Sequence, residues 1–206
     1  MAGSELDLII RAGRVFCAET GLDGRGAVAV RGDRIVAAGP DVSAEARQTF
    51  EFPDALLVPG LVDLHAHPAP SGWYAGIDPD PYILARGTTT ALSQGDAGAD
   101  TWSSYRETVI ESVRLRILMA ISPVSHGAFA QTGGFENLDN IDVGSCISTV
   151  RDGGDLIWGI AVNTAVRATG ESDPRPLLQR VLEAAETTGR PLLYGSRREP
   201  TDWPIA

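Results

Sequence analysis

The sequence predicts an α/β protein in two parts, a small all-β unit followed by a parallel sheet with covering helices. Three observations lead to this fold class. Short apolar strands punctuated by glycine occupy residues 5–56, and from residue 57 onward strand-like and helix-like segments alternate. A His-x-His pair stands at the end of the first strand of the second part. Alternating strands and helices are typical of a parallel sheet whose faces are covered by helices.

The first part, residues 1–56, is predicted to be a small β-sandwich-like unit. Its strands are expected at residues 6–11, 13–17, 26–30 and 34–38, and a last strand is expected over residues 49–52 and 55–58. A glycine turn is expected between the first two strands. Arg31-Gly32-Asp33 is a hairpin signal between the third and the fourth.

The second part, residues 57–206, begins with the apolar strand that carries Leu61, Val62 and Leu64. Further strands are expected at residues 87–93, 116–122, 156–162 and 190–194, and helices at 100–113, 142–150 and 174–188. Asp100 is expected to cap the first of these helices. Gly189 is expected to end the last one.

The pair His65 and His67 follows the turn Val58-Pro59-Gly60 and the first strand of the second part. Side chains two residues apart in a strand point to the same face, so the two imidazoles converge. Two convergent imidazoles on a rigid element form half of a metal site. A histidine near an apolar run is also commonly a packed or surface residue, and the spacing alone leaves both interpretations open.

Composition excludes several classes of function. The net charge of −10 argues against a nucleic-acid partner, because phosphate binding needs a basic surface. No apolar run reaches the length of a membrane helix, and the N-terminus lacks the features of a secretory signal. Two distant cysteines fit a reducing cytoplasm, which is the expected location. All 17 basic residues are arginine, and the chain has three histidines.

The segment 58–67, Val-Pro-Gly-Leu-Val-Asp-Leu-His-Ala-His, resembles the signature that opens the barrel of the amidohydrolase superfamily. This superfamily of metal-dependent hydrolases includes dihydroorotases, hydantoinases and N-acyl amino acid deacylases. The segment 87–90 resembles the start of the second barrel strand. The segment 95–100 resembles the following loop of a deacetylase-like branch.

The resemblance implies a fold, an activity and a cofactor. The fold is a minor β-domain followed by a (β/α)8 TIM-type barrel. The activity is hydrolysis of an amide or cyclic amide C–N bond, other than a peptide bond, in a small-molecule substrate. The cofactor is a divalent metal held by His65 and His67, with zinc expected and manganese or iron as alternatives. No catalytic residue is assigned by the sequence.

The barrel is predicted to be incomplete. The second part supplies about five strands and four helices over about 150 residues, whereas a closed barrel has eight of each and typically about 250 residues. The chain is therefore expected to be the front part of a longer protein or an unusually short variant. An open barrel exposes strand edges, so a homo-oligomer or association through that edge is expected. Asp78-Pro-Asp-Pro81 is expected to be a stiff loop at the top of the barrel.

The remaining ligands that the resemblance implies do not match this sequence. Members with two metals use a carboxylated lysine at the end of strand four, and histidines and an aspartate on later strands. Ala161 stands at the lysine position, and Tyr194 or Gly195 stands where the next histidine is expected. The chain contains no lysine, so a carboxylated lysine is excluded.

Three interpretations of function therefore remain open. The chain is the front part of a metal-dependent amidohydrolase, a catalytically degenerate relative with a binding or regulatory role, or a hydrolase with one metal ion. A further candidate ligand is His126, although a loop histidine without metal is the more common case. Asp63 is expected to support the site or a backbone turn. Asp96 is expected to line a pocket.

Overall fold

The structure, a computed structural model, describes residues 6–69, 76–130, 134–170 and 172–195. The chain divides into two compact units, Met1–Gly60 and Leu61–Ala206. The predicted fold class, an all-β unit followed by a partial (β/α) barrel, is confirmed. Among the described residues the first unit has one mixed sheet, and not the two packed sheets of the predicted β-sandwich. No helix within the described ranges has both the length and the apolar character needed to span a membrane.

The first unit consists of four strands. They are β1 (Leu6–Cys17), β2 (Leu22–Arg31), β3 (Arg34–Gly39) and β4 (Ala46–Leu57), in the sheet order β3-β2-β1-β4. β1 pairs antiparallel with β2 and parallel with β4. The hairpin predicted between β2 and β3 is confirmed. Gly32 has the positive φ of 58° that its turn needs.

β1 is one continuous strand, so the glycine turn predicted within it is wrong. Gly13 has a different role, because a Cβ at this position would lie 1.9 Å from the carbonyl oxygen of Pro53 in β4. Glycine thus allows the backbones of β1 and β4 to approach closely, at the point where their pairing shifts register. The last strand of the unit, predicted over residues 49–52 and 55–58, is confirmed as the single strand β4, which ends at Leu57.

The second unit is built on five strands. They are β5 (Leu61–Ala66), β6 (Thr88–Gln94), β7 (Arg116–Ile121), β8 (Ile157–Asn163) and β9 (Leu192–Gly195). Their order in the sheet is their order in the chain, and all four pairings are parallel. The carboxyl ends of all five strands therefore meet at one edge of the sheet, called here the carboxyl edge.

Helices connect these strands. They are α1 (Pro79–Tyr82), α2 (Trp102–Tyr105), α3 (Gly127–Ala130), α4 (Val143–Gly153), α5 (Val166–Thr169) and α6 (Arg175–Thr188). A π-helical turn, Arg106–Ile110, continues α2. Short 3-10 turns lie at Leu84–Arg86, Gly134–Glu136, Leu138–Asn140 and Gly154–Leu156.

Local signals explain where the two long helices begin and end. The side chain of Asp142 accepts a hydrogen bond of 2.9 Å from the N–H of Ser145 and caps α4. Gly189 ends α6 in the left-handed conformation, as predicted. The predicted cap at Asp100 is wrong, because Thr101 occupies the N-cap position of α2 and no side chain caps that helix.

Consecutive residues of β7 face opposite sides of the parallel sheet. Met119 and Ile121 belong to the large core that α4 and α6 cover, with Leu177 and Val181 from α6. Ala120 belongs to a smaller buried cluster that also holds Leu92 and Ala161. The strand is thus buried on both faces, which explains its nearly continuous apolar sequence.

The Asp78–Pro81 segment lies at the opposite end of the sheet from the one predicted. Pro79 begins α1, and the Asp80 carboxylate accepts hydrogen bonds of 2.9–3.1 Å from the N–H groups of Arg114 and Leu115. These two residues directly precede β7. Asp80 therefore lies at the edge of the sheet where the strands begin, opposite the carboxyl edge. A short polar side chain there satisfies backbone donors that the strand has not yet paired.

Candidate metal and hydrolase site

His65 and His67 lie at the end of β5, on the carboxyl edge. Their ring centroids are 5.8 Å apart and the two rings are nearly perpendicular, at 85°. His65 is exposed, whereas 27% of the His67 side chain is exposed. The structure therefore brings the two imidazoles together in the way that the sequence predicts.

Asp63 holds the backbone that presents the pair. Its carboxylate accepts a hydrogen bond of 2.9 Å from the N–H of His65. The bond spans two residues, which is the pattern of a local Asx-type turn. The structure thus agrees with the supporting role expected for Asp63.

Asp96 joins the pair from the loop after β6. Its side chain is fully buried, and its Oδ1 lies 2.5 Å from Nδ1 of His67. Its Oδ2 accepts hydrogen bonds from the hydroxyl of Ser93 at 2.6 Å and from that of Tyr105 at 3.2 Å. We call these four side chains, His67, Asp96, Ser93 and Tyr105, the Asp96 network.

The hydroxyl groups of the network are also in contact with each other. Ser93 Oγ and Tyr105 OH are 3.1 Å apart, and both residues are buried. Burial raises the pKa of the Tyr105 phenol above its ordinary value, and the Asp96 carboxylate raises it further. Tyr105 therefore keeps its proton at neutral pH and can act as a donor to Asp96.

Two loops fix the backbone around Asp96. Backbone hydrogen bonds of 2.8 Å run from Ser122 to Ala97, from Asp100 to Ser125 and from Ala128 to Gly95. They connect residues 95–101, after β6, to residues 122–128, after β7. We call these two segments the paired loops.

Glycines make this contact between the paired loops sterically allowed. A Cβ on Gly98 would lie 1.9 Å from the carbonyl oxygen of Val124, and one on Gly127 would lie 2.6 Å from that of Asp96. Gly95 and Gly127 also have φ values of 71° and 66°, which disfavour other residues. The glycines of the 95–98 segment thus serve close packing on either side of Asp96.

The other candidates lie elsewhere on the carboxyl edge. His126 is in the paired loops, where its carbonyl oxygen accepts a hydrogen bond of 3.1 Å from Thr101. Ala161 is buried beside Leu92 and Ala120. Tyr194 is partly exposed, and its hydroxyl lies 2.9 Å from that of Thr164.

Among the described residues, His65 and His67 are close enough to bind the same metal ion. Zinc–nitrogen bonds are about 2.0–2.1 Å long, so two imidazoles that share one ion have ring centroids no more than about 6.5 Å apart. The observed 5.8 Å is within this limit. Catalytic zinc sites normally have three protein ligands. Within residues 6–69, 76–130, 134–170 and 172–195, no group of three His, Cys, Asp or Glu side chains is placed to hold an ion.

Sequence reasoning missed the role of Ser93 and Tyr105 and underestimated Asp96. Ser93 is inside a buried strand, and Tyr105 has the spacing of an ordinary core residue on α2. The available signal was Asp96 itself, a carboxylate between the small residues Gly95 and Ala97, shortly after the predicted strand 87–93. A buried carboxylate needs partners, and its neighbouring hydroxyl groups were the candidates.

Comparison with known proteins gives relatives in sequence. The chain is 29% identical over 154 residues to a deacetylase of Agrobacterium fabrum, covering 73% of this chain and 38% of that protein. It is 29% identical over 125 residues to a deacetylase of Brucella anthropi, covering 60% of this chain and 31% of that protein. No protein-family profile matches the chain.

Solved structures share the fold. An adenine deaminase matches 95% of this chain with a TM-score of 0.81 at 18% identity, and a dihydroorotase matches 91% with a TM-score of 0.79 at 24% identity. A zinc-containing N-acyl-D-glutamate deacylase from Bordetella bronchiseptica matches 95% with a TM-score of 0.67 at 14% identity. The matches cover 52%, 50% and 46% of those chains, so this chain spans about half of their length.

Proposed function

We propose that this chain functions as a metal-dependent amidohydrolase. The proposal is supported by its relatives in sequence and by the solved structures that share its fold. The reaction is hydrolysis of an amide or cyclic amide C–N bond in a small molecule. The observation that carries the proposal is the position of His65 and His67, on the carboxyl edge of a parallel sheet. Active sites of (β/α) barrels lie at this edge.

His65 and His67 are the proposed metal ligands. A bound divalent metal polarises the substrate carbonyl and lowers the pKa of a water molecule toward neutrality. Imidazole nitrogens suit zinc, and the deacylase from Bordetella bronchiseptica was solved with zinc. We therefore propose zinc, with manganese and iron as the alternatives to be measured.

One metal ion fits this chain better than two. Without lysine, the chain cannot form the carboxylated lysine that bridges two ions. Ala161 is buried, and an added Cβ on Gly95 would lie 3.5 Å from the Ala161 side chain. The residue at the place that the resemblance assigns to a bridging ligand is thus a buried alanine, which has no ligand atom.

A second candidate function is binding or regulation without catalysis. It is favoured by one observation, that His65 and His67 are joined by no third ligand among the described residues. The two candidates differ in whether the purified protein holds metal and hydrolyses amides.

Metal analysis tests the proposal. The 206-residue chain, the double variant His65→Ala/His67→Ala and the control variant His126→Ala are purified in parallel, and bound zinc, manganese and iron are measured. We expect close to one ion in the parent chain, none in the double variant and an unchanged amount in the control. Equal, near-zero metal in all three proteins would reject the metal site and favour the binding role.

An activity assay tests the reaction class. Metal-loaded protein is incubated with N-acetylated amino acids and with dihydroorotate, which represent the deacetylase and dihydroorotase relatives. Hydrolysis that the double variant lacks supports the proposal. Metal binding without turnover of either class would argue for a degenerate site.

A further inference from the structure

We propose that Asp96 is a positioning residue, which holds His67 in the tautomer that presents its Nε2 lone pair to the metal. The proposal rests on the proposed function in one respect, that His67 is a metal ligand. It is carried by the Asp96 network, whose geometry distinguishes a positioning residue from a third ligand.

The first argument is the occupancy of the Asp96 carboxylate. Oδ1 faces Nδ1 of His67 at 2.5 Å, and Oδ2 accepts from the hydroxyls of Ser93 and Tyr105. Three hydrogen bonds to a fully buried carboxylate use most of its acceptor capacity. Asp96 is thus arranged to accept hydrogen bonds from protein groups, and not to contact an ion or a substrate.

The second argument is the tautomer that follows. Asp96 Oδ2 already accepts from two hydroxyls, and with Oδ1 as the acceptor toward His67, Nδ1 of that ring is the donor. In a neutral imidazole whose Nδ1 carries the proton, the lone pair is on Nε2. Metal-ligating histidines generally have this arrangement, in which a carboxylate or carbonyl fixes the ring through the other nitrogen.

The third argument is rigidity. The backbone of Asp96 is part of the paired loops, and its side chain is held by Ser93 from β6 and by Tyr105 from α2. Two secondary-structure elements and two loops therefore determine where Oδ1 lies. A fixed Oδ1 fixes the plane of the His67 ring before any metal arrives, which reduces the ordering cost of binding.

Nuclear magnetic resonance of the histidine side chains tests the tautomer directly. The nitrogen-15-labelled 206-residue chain has three histidines, and substitution of each one assigns their signals. Long-range proton–nitrogen correlation, before and after treatment with a chelator, should show His67 with its proton on Nδ1. In Asp96→Asn the chelated protein should show a mixture of both tautomers. A proton on Nε2 in the parent chain, or a pattern unchanged in Asp96→Asn, would overturn the proposal.

Zinc affinity gives a second readout. Competition with a chromogenic chelator should show binding about 10–100-fold weaker in Asp96→Asn, the usual effect of losing such a partner. The matched control is Asp100→Asn, which makes the same charge change at an exposed position of the same loop. Circular dichroism verifies that both variants are folded. Equal affinity in Asp96→Asn and Asp100→Asn would contradict a positioning role.

The two proposals fail in different ways. If the parent chain binds no metal but shows the Nδ1–H tautomer that depends on Asp96, the proposed function fails and the positioning geometry stands. If the parent chain binds zinc but His67 has the other tautomer, the metal site stands and the role of Asp96 is rejected.

Discussion

At the scale of single residues, Tyr105 shows how a core side chain takes part in the site. Its ring is buried in the large apolar core, whereas its hydroxyl reaches the Asp96 carboxylate at 3.2 Å. Ser93 shares this double character, since it is a buried strand residue with a polar end. Such residues couple the stability of the core to the geometry of the site.

Tyr105→Phe should therefore destabilise the protein while it affects metal binding less than Asp96→Asn does. The substitution keeps the ring and removes one hydrogen bond to a buried carboxylate, which costs about 1–3 kcal/mol. Ser93 still donates to Asp96, so the His67 contact is retained. Urea denaturation measures the loss, and Tyr82→Phe at an exposed position is the control. An unfolding free energy equal to that of the parent chain would show that the Tyr105 hydroxyl contributes nothing net.

At the scale of secondary-structure elements, the sequence predicted the strands and long helices well and the connections poorly. The limits of α6 follow from local chemistry, since Pro174 lies at the N-cap and Gly189 ends the helix in the left-handed conformation. The role of Gly13 depends on Pro53, a residue of another strand, and no local pattern contains that contact. The same applies to Asp80, whose partners are 34 and 35 residues away.

The candidate site likewise has one part that the local sequence predicts and one part that depends on contacts between distant residues. His65 is in β5 and His67 directly follows it, two residues along, so their convergence follows from the periodicity of extended backbone. Asp96 meets His67 across 29 residues, because β5 and β6 are neighbours in the sheet and the paired loops fix the Asp96 backbone. Pairing of this kind depends on the register of the sheet, which is a tertiary property.

The paired loops give a prediction at this scale. Gly98→Ala should destabilise the protein by about 1–3 kcal/mol, the usual cost of overpacking, because its Cβ would overlap the carbonyl oxygen of Val124. Displacement of the loop should also weaken zinc binding, since Asp96 is in the same segment. Gly24→Ala is the matched control, because a Cβ there meets nothing within 4 Å. Thermal unfolding and chelator competition measure the two effects. A Gly98→Ala variant as stable as Gly24→Ala would show that the loops separate at little cost.

At the scale of the whole chain, the parallel sheet has two outer strands. β5 and β9 each pair on one side only within the described residues. On β5, the side chains of Leu61, Val62 and Leu64 are 55%, 60% and 62% exposed. A strand with one unpaired side and exposed apolar side chains is a template for association.

We therefore propose that the 206-residue chain self-associates through β5. Copies that cover this strand remove apolar area from water, at roughly 25 cal/mol per Å². Light scattering coupled to size-exclusion chromatography should show a mass above that of one chain, falling on dilution. Val62→Glu, which places a charge on β5, should shift the mass toward the monomer. Leu182→Glu, at an exposed apolar position of α6, should leave it unchanged. A monomeric mass at every concentration, or equal effects of the two variants, would rule out this surface as the contact.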